Sequence, residues 1–286
     1  MGDSVESIVS EAAASLTRAG CDEPRRRARQ LIAGALDLSA AELLMRGEHR
    51  LEGSQSQQLR NFITRMAAGE PLSRILGRRE FWGLDFELTP DTLDPRPDSE
   101  TIIEAVLARV GRGASLRLLD LGTGSGCLLL TLLSELPIAT GIGVDISEGA
   151  VATARRNAES LRLNGRSSFL VGDWGGAIAQ RFDVVVANPP YIATSALRDL
   201  PQEVRLYDPP QALDGGDRGL AAYQRIIGLL PVLLAPYGMF VAEIGRGQAA
   251  DVVALLKEHA LACEAIERDL SGIERCIVAR DTASQH

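Results

Sequence analysis

The feature that most constrains the fold is a repeated order of apolar strand, glycine-containing turn and helix after residue 116. This pattern predicts strands at 117–121, 140–145, 168–171, 183–187 and 239–244, and a final strand at 275–280. The helices that it predicts are 127–135, 150–161, 219–234 and 249–260. Alternation of this kind is typical of an α/β protein with a doubly wound, mostly parallel sheet.

Two further regions precede this α/β domain, which we place at residues 101–286. Residues 1–75 show only helical periodicity, as in the apolar series Val5, Ile8, Val9, Ala12 and Leu16, and we expect a helical bundle. Residues 76–100 contain an aromatic, partly alternating stretch at 81–88 that predicts a β-hairpin, followed by the stiff segment Asp-Pro-Arg-Pro-Asp. We therefore expect three parts: a helical domain, a hairpin linker and an α/β domain.

Composition limits the classes of protein that the chain can belong to. With 45% hydrophobic and 24% charged residues it is a globular protein, and a net charge of -8 argues against nucleic-acid binding by bulk electrostatics. Its four cysteines have no metal-ligand spacing, which favours reduced thiols. The N-terminus lacks the features of a signal peptide, and no apolar run reaches the roughly 18–20 residues of a membrane span, so we expect a cytoplasmic protein.

A glycine-rich turn follows the first predicted strand of the α/β domain. Its residues are Gly122, Thr123, Gly124, Ser125 and Gly126, and a helix follows. Glycine lets the backbone approach a ligand where a Cβ atom would collide. The spacing G-x-G-x-G differs from the dinucleotide fingerprint G-x-G-x-x-G, and on its own the turn is also consistent with a tight strand-to-helix connection.

An acidic residue ends the next predicted strand, and another follows the strand after that one. Asp145 lies where a carboxylate can accept hydrogen bonds from both hydroxyls of a ribose bound across the glycine turn. Ser147 can cap the following helix, which leaves Asp145 for a ligand. Asp173 can accept from an adenine amino group, and Trp174 either packs on the adenine ring or belongs to the core. NAD and S-adenosylmethionine both satisfy this arrangement.

The tetrapeptide Asn188-Pro189-Pro190-Tyr191 follows the fourth strand and is the most informative motif. Two prolines end the strand, because proline has no N–H and fixes φ. The turn then presents an amide side chain, free backbone carbonyls and an aromatic ring. These groups suit a planar –NH₂, which offers two N–H donors and a flat face. The substrate group is therefore an amide side chain or an exocyclic amino group of a base.

The choice between the two cofactors depends on the residues available for proton transfer. A dehydrogenase usually needs a proton donor or acceptor near the hydride. The histidines His49, His259 and His286 do not lie at the carboxyl end of a predicted strand, and we expect them at the surface. Methyl transfer from a sulfonium requires alignment more than an initial base, so the pattern favours S-adenosylmethionine.

Taken together, these motifs resemble the class I S-adenosylmethionine-dependent methyltransferases, with their Rossmann-like sheet, and within them the release factor glutamine methyltransferase family. The resemblance covers nearly the whole chain. Besides the glycine turn and Asn-Pro-Pro-Tyr, its markers are Gly69-Glu70-Pro71-Leu72, Ile75-Leu76-Gly77, Glu80-Phe81-Trp82-Gly83, Pro95-Arg96-Pro97, Glu203-Val204 and Ala212-Leu213-Asp214-Gly215-Gly216. Asp94 departs from the apolar residue usual in the family, which leaves the role of the segment 94–100 open.

The resemblance implies methylation of the glutamine side chain in the Gly-Gly-Gln motif of peptide chain release factors. It implies that the 122–126 turn, Asp145 and Trp174 bind the cofactor, that Asn188 contacts cofactor and substrate, and that 189–191 hold the glutamine. We expect a monomer that contacts neither membrane nor nucleic acid. The alternatives are an adenine-N6 or ribosomal-protein glutamine methyltransferase, and a binding module on a degenerate methyltransferase scaffold.

Overall fold

The computed structural model describes residues 3–281. Its contacts divide the chain into two compact units. The first contains the chain up to Arg78 together with Gln202–Tyr207, and the second contains Arg79–Pro201 and the chain from Asp208 onward. His286, and with it the predicted end of the α/β domain, lies outside the described residues.

Helices and strands alternate through most of the second unit, whereas the first is helical. The helices are α1 (Val5–Arg18), α2 (Pro24–Ala35), α3 (Ala40–Met45), α4 (Gly53–Ala67), α5 (Leu72–Leu76), α6 (Glu100–Leu107), α7 (Cys127–Glu135), α8 (Glu148–Ser160), α9 (Gln202–Tyr207), α10 (Ala221–Leu233) and α11 (Ala249–Glu258). The strands are β1 (Arg78–Phe81), β2 (Leu84–Glu87), β3 (Arg117–Leu121), β4 (Thr140–Asp145), β5 (Ser167–Val171), β6 (Phe182–Ala187), β7 (Leu234–Glu243), β8 (Leu261–Arg268) and β9 (Glu274–Asp281). Across residues 3–281, no helix combines the length and apolar character that crossing a membrane requires.

The first unit packs the apolar faces of its helices around one core. Ile8 and Leu16 of α1 are fully buried with Leu31 and Ile32 of α2 and with Leu59 of α4. The residues of α1 that are buried here are the apolar series that its helical spacing predicts. Burial of each such side chain contributes about 1.5–3 kcal/mol, and most of the stability of short helices comes from such packing.

The predicted hairpin is confirmed at the start of the second unit. Strands β1 and β2 pair with each other in a separate two-stranded sheet. Phe81 and Phe86 are buried and pack edge to face with ring centroids 6.4 Å apart. The aromatic residues that marked this stretch in the sequence are therefore the ones that fix it to the core.

The predicted doubly wound sheet is also confirmed. It has seven strands in the order β5-β4-β3-β6-β7-β9-β8, and the five strands from β5 to β7 are parallel. The chain runs outward from β3 to β5 in one direction and from β6 in the other, so the strand order reverses beside β3. Ligands of such sheets bind beyond the carboxyl ends of the strands at this reversal. The glycine turn and Asn188 directly follow strands that end at this edge, and Asp145 is the last residue of β4.

Strand β8 is the part of the sheet that the sequence pattern did not predict. It pairs antiparallel with β9 at the edge of the sheet, and β9 pairs antiparallel with β7. Only one face of an edge strand needs to be apolar, and in β8 Glu264 and Arg268 are exposed while Glu267 is half-buried. A short stretch of alanine and glutamate after a helix gives little strand signal, because these residues are depleted in strands.

Candidate active site

A cavity of about 310 Å³ lies at the carboxyl edge of the parallel strands, within the second unit. Most of the residues that the sequence singled out line it. They are Gly122, Thr123, Gly124, Ser125, Asp145, Asp173, Trp174, Asn188 and Pro190. Gly126, Pro189 and Tyr191 are adjacent to these residues but are not among those lining the cavity.

The glycine turn is held open by hydrogen bonds to the neighbouring strand. The N–H groups of Gly122 and Thr123 both donate to the carbonyl of Val144, at 2.8 and 3.0 Å. Gly122 has φ +77° and Gly124 has φ +55°, conformations that side chains with a Cβ rarely adopt. The turn therefore presents backbone to the cavity, as its composition predicts.

Asp145 closes this turn through both of its carboxylate oxygens. Oδ2 accepts from the N–H of Gly124 at 2.8 Å, and Oδ1 accepts from the N–H of Ser147 at 2.9 Å. Ser147 caps α8 with its hydroxyl, which accepts from Ala150 N at 3.2 Å, so Asp145 is not needed as the cap. Burial raises the pKa of Asp145, and these N–H donors partly offset that effect. Each oxygen has a second lone pair that can accept from a ligand hydroxyl.

Trp174 belongs to the core and also lines the cavity. Its ring lies against Gly122, where an added Cβ would be 3.4 Å away, and it also packs on the core cluster around Tyr223. It lines the cavity at the same time. Asp173, by contrast, is engaged in an ion pair with Arg225, which also lines the cavity. A ligand amino group would have to share this carboxylate with the guanidinium.

Asn188 belongs to a hydrogen-bond chain that sequence reasoning missed. Its Nδ2 donates to Ser99 Oγ at 2.9 Å, and the Ser99 hydroxyl donates to Glu243 Oε2 at 2.5 Å. The hydroxyl of Tyr191 donates to the other carboxylate oxygen, Oε1, at 3.0 Å. The one signal for Glu243 in the sequence is an acidic residue at the end of an otherwise apolar strand.

A second missed residue, Gln248, holds the backbone of the tetrapeptide. Its Nε2 donates to the carbonyl of Tyr191 at 3.0 Å and to that of Gly219 at 3.2 Å. Its Oε1 accepts from the N–H of Gly245 at 3.0 Å. The side chain thus connects the Asn-Pro-Pro-Tyr turn to the segments before α10 and before α11.

The segment 94–100, whose role the sequence leaves open, contacts a loop that borders the cavity. The N–H of Asp94 donates to Asp208 Oδ1 at 3.3 Å, and Arg96 donates to Asp208 Oδ2 at 2.5 Å. Asp94 also lies 3.7 Å from the Nε of Arg79. Asp208 directly precedes Pro209, which lines the cavity. Asp94 and Arg96 therefore fasten this loop.

Asp120 is a buried carboxyl group beneath the glycine turn. It is 0% exposed, and Thr123 Oγ1 donates to its Oδ2 at 2.6 Å. Burial raises its pKa from 3.8 to about 7, against the effect of the Thr123 hydrogen bond. Between these two values the folded protein binds one more proton at this site than the unfolded chain does. The free energy of unfolding should therefore fall as the pH rises from about 4 to about 7.

We expect the Asp120→Asn variant to lose this pH dependence. In the wild-type protein the site contributes a decrease of up to about 1.4 kcal/mol per pH unit, and asparagine cannot titrate. Urea unfolding at several pH values measures the difference. Asp217→Asn, which changes an exposed carboxylate, is the matched control and should keep the wild-type slope. Equal slopes in wild type and Asp120→Asn would contradict the assignment.

The charges around the cavity indicate which cofactor fits. Carboxylates line it at Asp91, Asp145, Asp173 and Asp214, and among the described lining residues Arg225 is the single cation, already paired with Asp173. A dinucleotide would bring a diphosphate to this acidic surface, whereas S-adenosylmethionine brings a positively charged sulfur. Of the histidines, His49 is exposed, His259 is half-buried and neither lines the cavity. The residues present therefore fit S-adenosylmethionine.

Two family models match the chain. The model for the PrmC N-terminal domain matches residues 7–77, and a methyltransferase domain model matches residues 113–270. A release factor glutamine methyltransferase of Rhodospirillum rubrum is 48% identical, over 93% of this chain and 82% of that protein. One of Bradyrhizobium diazoefficiens is 41% identical, over 98% of this chain and 95% of that protein.

Solved structures show the same fold at low sequence identity. A methyltransferase from Pyrococcus furiosus superposes with a TM-score of 0.52 at 17% identity, covering 78% of this chain and 96% of that one. The 16S rRNA methyltransferase RsmC of T. thermophilus, in complex with AdoMet and guanosine, gives a TM-score of 0.51 at 20% identity, covering 71% and 49%. The cavity fits S-adenosylmethionine, and the matches cover most of the chain. The chain is therefore an S-adenosylmethionine-dependent methyltransferase and belongs to the release factor glutamine methyltransferase family.

Proposed function

We propose that this enzyme methylates the side-chain nitrogen of the glutamine in the Gly-Gly-Gln motif of peptide chain release factors. The observation that carries the proposal is the orientation of the Asn188 amide. Its Nδ2 is committed to Ser99, so Oδ1 is the end that can accept from a ligand. An acceptor placed beside a cofactor cavity suits a substrate –NH₂ group.

The cofactor is assigned to the cavity at the strand ends. The backbone of 122–126 approaches it, Asp145 accepts from its ribose hydroxyls, and Trp174 packs on its adenine. Asp173 accepts from the adenine amino group in competition with Arg225. When bound, S-adenosylmethionine supplies a methyl group on a positively charged sulfur, which needs no metal and no initial base.

The tetrapeptide is assigned to the glutamine. The Asn188 Oδ1 and the Pro189 carbonyl each accept one N–H of the substrate amide, and Tyr191 lies against its plane. An amide nitrogen is a poor nucleophile because its lone pair is delocalised toward the carbonyl. Two acceptors return electron density to the nitrogen and fix its line of approach. Alignment of this kind contributes up to about 7–11 kcal/mol to a bimolecular reaction.

The same two acceptors favour glutamine over glutamate. A carboxylate has no N–H, so it would leave both acceptors unpaired at a cost of about 1–3 kcal/mol each. Asp145 and Asp173 add negative charge nearby, which disfavours a substrate carboxylate. The geometry therefore supports a neutral amide as the substrate group.

The helical region at residues 1–75 is proposed to dock the release factor, with 76–100 as a linker and 101–286 as the catalytic domain. The first compact unit exposes large apolar side chains, with Leu44 62%, Met45 78% and Leu206 56% exposed. Apolar side chains this exposed are typical of surfaces that bind another protein when they lie together.

Transfer of label from methyl-labelled S-adenosylmethionine tests this function. We expect an intact release factor to be labelled. Replacing its motif glutamine with glutamate should lower the labelling by about 10²-fold or more. A short Gly-Gly-Gln peptide should be labelled only weakly, because it lacks the surface that docks. Mass spectrometry of the product locates the methyl group on the side-chain nitrogen.

The rival functions predict other outcomes of the same assay. Label on adenine in DNA or RNA would indicate a base methyltransferase. Label on a glutamine of a ribosomal protein would indicate that the substrate is a ribosomal protein. No transfer to any of them, with retained cofactor binding, would indicate a binding module. A peptide labelled as efficiently as the intact factor would overturn the docking role alone.

We take the active species to be a monomer, which light scattering during the assay checks.

A further inference from the structure

Glu243 is a buried carboxylate in β7 that has no contact with the cofactor cavity. It is 2% exposed, and it is not among the residues that line the cavity. Both of its oxygens accept hydrogen bonds, from Ser99 and from Tyr191, and its main-chain carbonyl accepts from the hydroxyl of Tyr223 at 2.8 Å. Burying a charged carboxylate costs considerable free energy. The hydrogen bonds that join this carboxylate to Ser99 and Tyr191 therefore call for a functional reason.

The hydrogen-bond chain from Glu243 has a definite direction. An ionised carboxylate only accepts, so the Ser99 hydroxyl must use its single hydrogen toward Glu243. Ser99 Oγ can then only accept from Asn188, which fixes Nδ2 on that side and Oδ1 on the other. The charge on Glu243 thereby determines which end of the Asn188 amide is presented to a ligand.

Protonation of Glu243 removes this constraint. A protonated Oε2 donates to Ser99 Oγ, the Ser99 hydroxyl turns to Asn188, and the amide reverses so that Oδ1 accepts from it. Nδ2 then faces the ligand, where a donor meets the N–H groups of the substrate. The acceptor that the proposed reaction needs has become a donor.

We propose that Glu243 is a positioning residue that, in its ionised form and acting through Ser99, holds the Asn188 amide with its oxygen toward the substrate. Through Tyr191 the same carboxylate fixes the ring proposed to lie against the substrate amide. The inference rests on the function proposed above, since it explains how that function's hydrogen-bond acceptor is oriented.

The surroundings of Glu243 set the direction of the pH effect. Burial raises its pKa above the ordinary value, which the hydrogen bonds from Ser99 and Tyr191 and the charge of Arg275 partly offset, while Asp98 adds to the rise. Arg275 itself is paired with Asp98 at 3.1 Å and Asp269 at 3.3 Å. The other titratable groups that sense Glu243 stay protonated, because burial raises the pKa of each of them: Tyr191, Tyr223 and Cys276. The turnover number should therefore fall as the pH falls through the raised pKa of Glu243.

The orientation of Asn188 is measurable without substrate or cofactor. The chain has four asparagines, so protein labelled with ¹⁵N-asparagine gives four side-chain amide signals, and Asn188→Ala identifies the one of interest. We expect that signal to titrate in the wild type, above the ordinary pKa of a glutamate, and to be pH-independent in Glu243→Gln and in Ser99→Ala. Asn157, whose amide bonds only main-chain groups, is the internal reference.

Kinetics test whether this orientation affects the reaction. We expect Glu243→Gln and Ser99→Ala each to lower the turnover number by about 10-fold to 10²-fold, while cofactor affinity stays unchanged. Because both residues act through the same hydrogen-bond chain, the double variant should be no more impaired than the worse of the two single variants. The acidic fall in turnover should be absent from Ser99→Ala, in which Glu243 still titrates. Tyr223→Phe, which removes a hydrogen bond to the Glu243 main chain, is the matched control and should keep the Asn188 titration.

The outcomes separate this inference from the proposed function. A wild-type Asn188 signal that does not titrate, a Ser99→Ala variant that keeps the acidic fall, or a Glu243→Gln variant with wild-type turnover would overturn the role of Glu243 alone. A wild-type enzyme that leaves release factors unmethylated would overturn the proposed function and this inference with it. If Glu243→Gln does not fold, Ser99→Ala cuts the same connection and decides the question.

Discussion

Replacing Asn188 with alanine is expected to lower the rate of methyl transfer by about 10²-fold or more, the effect of removing one preorganised polar group from an active site. The substitution removes the oxygen proposed to accept from the substrate amide. It leaves Asp145, Trp174 and the glycine turn in place, so affinity for the cofactor should stay within a small factor. Single-turnover methyl transfer at saturating cofactor measures the first quantity, and calorimetry measures the second.

Two further variants test whether the effect is specific to the oxygen of Asn188. Asn164→Ala makes the same change at an exposed asparagine after α8 and should behave as wild type. Asn188→Asp keeps an oxygen toward the cavity but places a second oxygen against Ser99 Oγ, whose hydrogen is already used by Glu243. We expect Asn188→Asp to be impaired as well, because the acceptor is then no longer held in place. Wild-type turnover in Asn188→Ala would remove the acceptor role.

The parts of the site that the sequence predicted are those that follow directly from where each strand ends. The carboxyl ends of parallel strands meet at one edge, so Gly122, Asp145 and Asn188 come together wherever the fold is doubly wound. The bounds of β3 and β4 agree with the predicted 117–121 and 140–145. Apolar runs between glycine turns leave little choice of register, because buried parallel strands are apolar on both faces.

The parts that the sequence did not reveal depend on contacts between distant residues. Ser99 stands just before α6, where a serine usually serves as the helix cap. Its side chain makes no cap hydrogen bond and bonds instead to Asn188 and Glu243, which are 89 and 144 residues away. Gln248 likewise connects to Tyr191, 57 residues away. Local spacing carries no information about such pairings.

Replacing Asp145 with alanine is expected to weaken the binding of S-adenosylmethionine by about 10²-fold or more, since hydrogen bonds to a charged group contribute about 1.5–3 kcal/mol each. Two losses combine in this variant. The proposed bonds to the ribose hydroxyls disappear, and the N–H groups of Gly124 and Ser147 lose the oxygens that hold the turn in its binding conformation. Calorimetric titration with the cofactor measures the change, at a pH above neutrality, which favours the ionised carboxylate against the raised pKa of Asp145.

Comparison with two further variants separates charge from geometry. Asp145→Asn keeps one oxygen that can accept from one of the two N–H groups, so its affinity should lie between those of wild type and Asp145→Ala. Glu148→Ala removes an exposed carboxylate three positions away and should bind the cofactor as wild type does, which excludes a general effect of net charge. Thermal unfolding with and without cofactor gives a second readout, because a ligand that binds only the folded state stabilises it by RT ln(1 + [L]/Kd). Undiminished affinity in Asp145→Ala would mean that the ribose is held elsewhere, and the assignment of the cavity edge at β4 would then be wrong.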